Sequence, residues 1–179
     1  MGRITTPLPV KLFVGVLTSL PEILPEVESQ LTSLFGAIDE RSDLIAFDCT
    51  TYYDQQMGSP IRRRFFGLVD LIPATEIAAI KIQTNDLEAK FRARHTQVPR
   101  PVNLDPGYLE QSKVVLASTK NFYHRLLIAE GIYAEVTLHF EAGAWRPFPW
   151  TFPDFRDGRY DAFFTALRRR YRAQLGYSR

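Results

Sequence analysis

The sequence holds one cysteine, Cys49, which excludes an internal disulfide framework and sets the expectation of a reducing, cytoplasmic location. No apolar run reaches the roughly 18 residues that a membrane-spanning helix needs. The opening MGRITTPLPVKLFVGV lacks the ordered charged, apolar and small-residue regions of a signal peptide. No membrane partner is therefore expected. Net charge is also scarce: 22 basic and 20 acidic residues leave +2, too little for a general attraction to nucleic acid. Several chemical fingerprints are missing. There is no G-x-x-x-x-G-K-[ST] or G-x-G-x-x-G phosphate loop and no G-x-S-x-G elbow. The paired His-x-[Ser/Thr] motifs of two-histidine phosphoesterases are absent. Three histidines and one cysteine show no zinc spacing, and the sequence names no cofactor. With no repeat, low-complexity tract or Gly/Ser linker, residues 1–179 are expected to form one domain behind a loose lead-in over residues 1–9.

What is present reads as alternating strands and helices. VKLFVGVLTS, Val10–Ser19, is a nearly continuous β-rich run of the kind buried on both faces. Pro21 can open a helix whose apolar positions Ile23, Val27, Leu31 and Leu34 end at Gly36. Asp43–Thr51 and Ile61–Leu68 are expected as strands two and three. After Pro73, the stripe Ile77, Ile80, Thr84, Leu87 and Phe91 predicts one long helix over Ala74–Arg94. RPVNLDPG reads as a short strand ending in a Pro-Gly turn. The order β-α-β-β-α-β predicts an α+β fold with a ferredoxin-like unit and an antiparallel sheet. Tyr108–Lys120 fits helix and strand about equally. A hairpin follows, His124–Ala129 and Ile132–Phe140 around Glu130-Gly131. Ala144–Phe148 can add a strand, and a last helix is expected over Tyr160–Leu175.

The segments YYDQQMG, KIQTNDLEAKF, VNLDPGYLEQSKVVLASTKNFYHRL, GIYAEVTL and PWTFPDFR, in this order, resemble the bacterial and archaeal family called domain of unknown function 4416. The resemblance runs from about Pro9 to Tyr171, implies a prokaryotic protein, and implies no activity. Some members of that family are described as GTP-binding. This chain has no Gly-Lys pair at all, and a P-loop needs its glycines and lysine to cradle phosphates.

The candidate chemistry gathers around residues 103–126. Asp105, His124 and Glu135 are the candidate catalytic groups, as acid–base or metal-binding side chains. A two-residue hairpin turn sets Ala129 opposite Ile132, Leu126 opposite Glu135 and His124 opposite Thr137. His124, Glu135, Thr137 and His139 then share one face, and a His beside a Glu is raw material for acid–base chemistry. The same polarity would suit a solvated outer face of an antiparallel sheet. In this register Arg125 points away from His124. Asp105 precedes Pro-Gly, which is also ordinary turn chemistry. Arg63, Lys81, Asn85, Lys113, Lys120 and Arg125 are the candidate substrate-binding groups. Lys81, Asn85 and Glu88 form a polar stripe on the long helix, either lining a cleft or facing solvent. Arg62-Arg63-Arg64 and the seven arginines against three aspartates in residues 154–179 read as phosphate-binding groups or as charged surface. The expected function is an enzyme or binding protein for a small phosphorylated or nucleotide-like anion. The alternatives are an RNA-binding accessory protein and a scaffold without chemistry. The scaffold reading expects a polar hairpin face open to water and no deep pocket.

Overall fold

A computed structural model describes residues 2–177. Among the described residues, nine strands form one open antiparallel sheet, accompanied by five α-helices. Strand β1 is Val10–Thr18 and β4 is Arg62–Ile72. On the far side of β4 lie β2, Ile38–Arg41, and the two-residue β3, Ile45–Ala46. On the other side of β1 come β5 (Asn103–Leu109), β6 (Lys113–Ser118), β8 (Ile132–Glu141) and the edge strand β7 (Leu126–Ala129). Strand β9, Ala144–Pro147, also pairs with β8.

Alternation along β1 explains why the sheet is covered on both faces. Leu12, Val14 and Val16 pack against helices α1 (Leu24–Phe35) and α3 (Ile77–Arg94). Phe13 points the other way, into Phe163, Phe164, Leu167 and Tyr171 of α5 (Asp161–Gln174). Every β1 residue is buried, as a strand sandwiched between two helical layers must be. A third small cluster of Leu17, Phe47, Met57 and Ile61 holds down the connection between β3 and β4, which includes α2, Asp54–Met57.

Three local expectations change. Of the segment Asp43–Thr51 only Ile45–Ala46, β3, is strand, and β2, which was not expected, is a further partner of β4. Asp105-Pro106-Gly107 is not a turn: all three residues lie inside β5. A Cβ at Gly107 would sit 2.5 Å from the Val115 carbonyl oxygen and 2.6 Å from the Phe13 ring, so glycine is required for strand contact rather than for chain reversal. Finally, the hairpin alternation is broken. Val115 pairs with Val136, but Val114 pairs with Leu138, which leaves Thr137 as an extra, bulged residue. Leu138 and Phe140 therefore pack in the α5-side cluster, whereas Ile132 packs in the α1/α3-side cluster.

The sheet also parts in its middle. Strands β5 and β6 pair only from Gly107 to Leu109 against Val114 to Leu116. Beyond that, β5 stays with β1 through Asn103 and β6 stays with β8 through Ser118. Pro106 stands where the pairing ceases and has no N–H to donate. Helix α3 supplies the missing partners: Lys81 Nζ donates to the Leu104 carbonyl at 2.7 Å, and the Leu104 N–H donates to Glu88 Oε1 at 2.7 Å. Both main-chain groups of Leu104 are thereby satisfied by side chains in place of a neighbouring strand.

Candidate functional site

A cavity of about 590 Å³ opens where β5 and β6 part. Its size lies within the range of about 300–1,000 Å³ typical of small-molecule sites. Because the sheet is split there, side chains from both faces reach it. Lys81 and Asn85 come from α3, and Asn103 and Asp105 from β5. Arg63 enters from β4, and Glu135 from β8. The end of β6 and the following turn add Ser118, Thr119 and Lys120, with Arg125 beyond. Phe47 and Tyr53 form part of one wall, and Phe152 and Phe155 part of another; Phe155 belongs to helix α4, Pro153–Arg156.

Arg63 is 5% exposed and sits among the rings of Phe47, Phe65, Phe155 and Tyr160, 5.2–5.7 Å from their centroids. Asp105 and Asp154 stand 3.5 and 3.4 Å from it. Its Nε has no hydrogen-bond partner among the described residues. Asp154 is occupied, accepting the Tyr160 hydroxyl at 2.9 Å. Burial pushes the Tyr160 hydroxyl well above the ordinary tyrosine range, only partly opposed by Arg63, so it stays a neutral donor. Asp105 is the more open carboxylate, with its side chain 29% exposed.

Lys81 is 5% exposed and has one hydrogen bond, to the Leu104 carbonyl. Neither Lys81 nor Lys120 forms an ion pair with a carboxylate among the described residues. Lys120 instead lies 4.9 Å from the Tyr52 ring, with its Nζ 3.4 Å from the hydroxyl. Arg100 donates to Glu88 at 3.0 Å and to Asn103 Oδ1. This fixes the Asn103 amide with Nδ2 as its free end, which is buried and has no partner among the described residues. Burial pushes the Glu88 carboxyl up, and Lys81 and Arg100 only partly restrain it. Burial likewise raises the Cys49 thiol, so this cavity-lining sulfur is not an activated thiolate.

The His124–Glu135 pair forms by another route than strand pairing. Strand β7 begins at Leu126, so His124 and Arg125 lie in the turn before it. The ladder sets Ala129 opposite Ile132, but Leu126 faces Ala134 rather than Glu135. His124 Nε2 lies 3.0 Å from Glu135 Oε2, and Arg125 Nε donates to the same oxygen at 2.6 Å. The expectation that Arg125 faces away from His124 is thus corrected, because residues outside the ladder need not alternate. Thr137 completes the carboxylate with a bond to Oε1 at 3.3 Å. Arg125 is further held by Ser118 Oγ at 3.1 Å and the Lys120 carbonyl at 3.0 Å. Glu135, with its side chain 1% exposed, is therefore saturated and positions Arg125. His124 does not line the cavity; it stacks on Trp150, which in turn stacks on Phe148.

Lys113 is separated from the other candidates. It binds Glu110 at 2.7 Å and borders a different, shallower depression beside Pro7 and Tyr171. The α5 arginines are largely committed to neighbours: Arg168 to the Gln111 carbonyl and the Phe140 ring, Arg170 to Glu40, and Arg172 to Gln111 Oε1. Arg179 lies outside the described residues. Asn103, Arg100 and Asp154 are the polar groups that sequence reasoning missed. Their role comes from the parted strands and from α4, which no local pattern announces. Tyr52 and Tyr53 carried a weak signal, as an aromatic pair in a loop.

Among the described residues, no three His, Cys, Asp or Glu side chains gather as a metal site, and no helix is long and apolar enough to cross a membrane. Comparison with curated proteins and with solved structures gives no match. One family model matches residues 8–171, nearly the whole chain, and on that match the protein belongs to the family described as Domain of unknown function (DUF4416).

Proposed function

We propose that the cavity binds a small phosphorylated anion, as the site of an enzyme or of a ligand-binding protein. The observation that carries this reading is Lys81. A buried ammonium facing a cavity, with one carbonyl as its hydrogen-bond partner and the Glu88 carboxyl near but not ion-paired, gains from a ligand that brings negative charge. Asn103 Nδ2 is a further buried donor without an acceptor among the described residues, and a phosphoryl group supplies several acceptor oxygens at once. Lys120 adds a second cation free of carboxylates. Arg125 is held ready by Glu135, Ser118 Oγ and the Lys120 carbonyl. In the enzymatic version, Asp105 is the accessible carboxylate that takes a proton from the ligand, and His124 and Glu135 act as positioning residues.

The wider reading is of a cytoplasmic, prokaryotic protein built on a ferredoxin-like unit. Support for that unit is the order β2-β4-β1-β5, with α1 and α3 packed on one face. The RNA-binding alternative has less support, because most of the α5 arginines are engaged within the protein.

The test is calorimetric titration with pyrophosphate, sugar phosphates and nucleotides, using wild type, Lys120→Ala and Lys81→Met. At least one phosphorylated compound is expected to bind, about tenfold or more weakly in either variant, the usual effect of losing one charge-assisted contact. A panel without any binder, or a binder indifferent to both substitutions, overturns the proposal.

A further inference from the structure

The two ends of the cavity differ in chemistry. At the inner end, Lys81 and Asn103 are 5% and 4% exposed and offer only donors toward the ligand. Asn103 cannot rotate to offer its oxygen, because Arg100 already donates to it and is itself held by Glu88. At the mouth stand two exposed rings, Tyr52 at 66% and Phe152 at 45%. Each has a cation over its face: Lys120 at 4.9 Å from Tyr52, and Arg125 at 5.8 Å from Phe152. Asp105 is a third kind of group. It lines the cavity and faces Arg63 at 3.5 Å, but its oxygens accept no hydrogen bond among the described residues. A bare phosphate would use the inner donors and the charged ends of Lys120 and Arg125, and leave the rings and Asp105 idle.

We infer that the ligand is a nucleoside phosphate bound with its phosphoryl group inward and its base outward. This rests on the phosphate-binding reading above and narrows it. The inner donors take phosphoryl oxygens. Asp105 accepts from ribose hydroxyls, a pairing that carboxylates make in other nucleotide sites. The base stacks at the mouth, where every base offers a π-face. The described groups at the open mouth are the exposed rings of Tyr52 and Phe152 rather than a rigid, buried donor–acceptor edge, so all four bases are accepted with similar affinity.

The experiment is calorimetric titration of the full chain with AMP, GMP, CMP, UMP, ribose 5-phosphate and adenosine. Wild type is compared with a Tyr52→Ala/Phe152→Ala double variant, whose exposed rings can be removed without opening the core. The four nucleotides are expected to bind within about fivefold of one another, and ribose 5-phosphate about tenfold or more weakly. Adenosine should show no heat. The double variant should weaken AMP about tenfold or more while leaving ribose 5-phosphate unchanged. If ribose 5-phosphate binds as well as AMP, or the double variant leaves AMP binding intact, the nucleoside assignment is overturned and phosphate binding stands. If one base is preferred by a hundredfold, the outward placement of the base is overturned. If no phosphorylated compound binds, both readings fall together.

Discussion

Replacing Glu135 by alanine tests whether the network beneath the cavity is a buried charge cluster or surface decoration. The Glu135 side chain is 1% exposed, and its partners Arg125 and His124 are 8% and 7% exposed. Removal leaves the Arg125 guanidinium with only Ser118 Oγ and the Lys120 carbonyl. Breaking a buried pair by deleting one partner typically costs about 3–5 kcal/mol. Arg125 borders the cavity and can relax toward it, so the lower end applies, about 3 kcal/mol. For a chain of this length that corresponds to a fall of about 6–12 °C in Tm. Glu135→Gln keeps an acceptor but loses the charge, and a loss of about 1.5–3 kcal/mol is expected. The Arg125→Met/Glu135→Met double variant should lose less than either single truncation, because no unpaired charge remains. Urea unfolding, with the midpoint read at unchanged slope, measures all three. A loss below about 1 kcal/mol for Glu135→Ala, the level of an exposed ion pair, would refute the assignment of a buried network.

Two further predictions concern the parting of the strands. Burial holds the Glu88 carboxyl above its ordinary 4.5, so the folded state keeps that proton more tightly than the unfolded chain does. Its stabilising contribution is complete below the unfolded value and is lost as pH rises through the folded one. Relative to Glu88→Gln, wild type should therefore lose stability as pH rises from about 4.5; parallel urea curves at pH 4 to 7 that show a flat or opposite difference would contradict this. Gly107→Ala should destabilise by about 1–3 kcal/mol, because its Cβ would meet the Val115 carbonyl oxygen and the Phe13 ring; an unchanged unfolding midpoint would show that the two strands can spread there.

The elements that depend on local pattern were legible. The run from Val10 is a strand buried along its whole length, and Gly36 closes α1 with a φ of 89°. Glu130 and Gly131 both adopt positive φ, the requirement of a tight hairpin turn. The stripe from Ile77 to Phe91 is one helix despite Thr84-Asn85-Asp86; Thr84 Oγ1 bonds back to the Lys81 carbonyl. Features set by tertiary geometry were not legible. Asp-Pro-Gly has the composition of a turn, yet the packing of Phe13 and Val115 against Gly107 makes it a strand. The bulge at Thr137 adds no special residue type, so strict alternation could not show that Leu138 packs on the α5 side. His124 and Glu135 meet through a loop, which strand register cannot describe.

The split between β5 and β6 ties the site to the fold. A strand that loses its neighbour must satisfy its main-chain groups elsewhere, and here Lys81 and Glu88 satisfy those of Leu104. The same lysine faces the cavity. Substituting Lys81 therefore perturbs both the support of β5 and the proposed anion contact, and a loss of binding in that variant alone would not separate them. Lys120, Tyr52 and Phe152 bear no main chain of the sheet, and their exposure frees them from the core. An effect on binding without an effect on the unfolding midpoint is thus expected at these three positions, and both effects together at Lys81. A site assembled across a parted sheet is half scaffold by construction, and its rim is where function can be probed apart from folding.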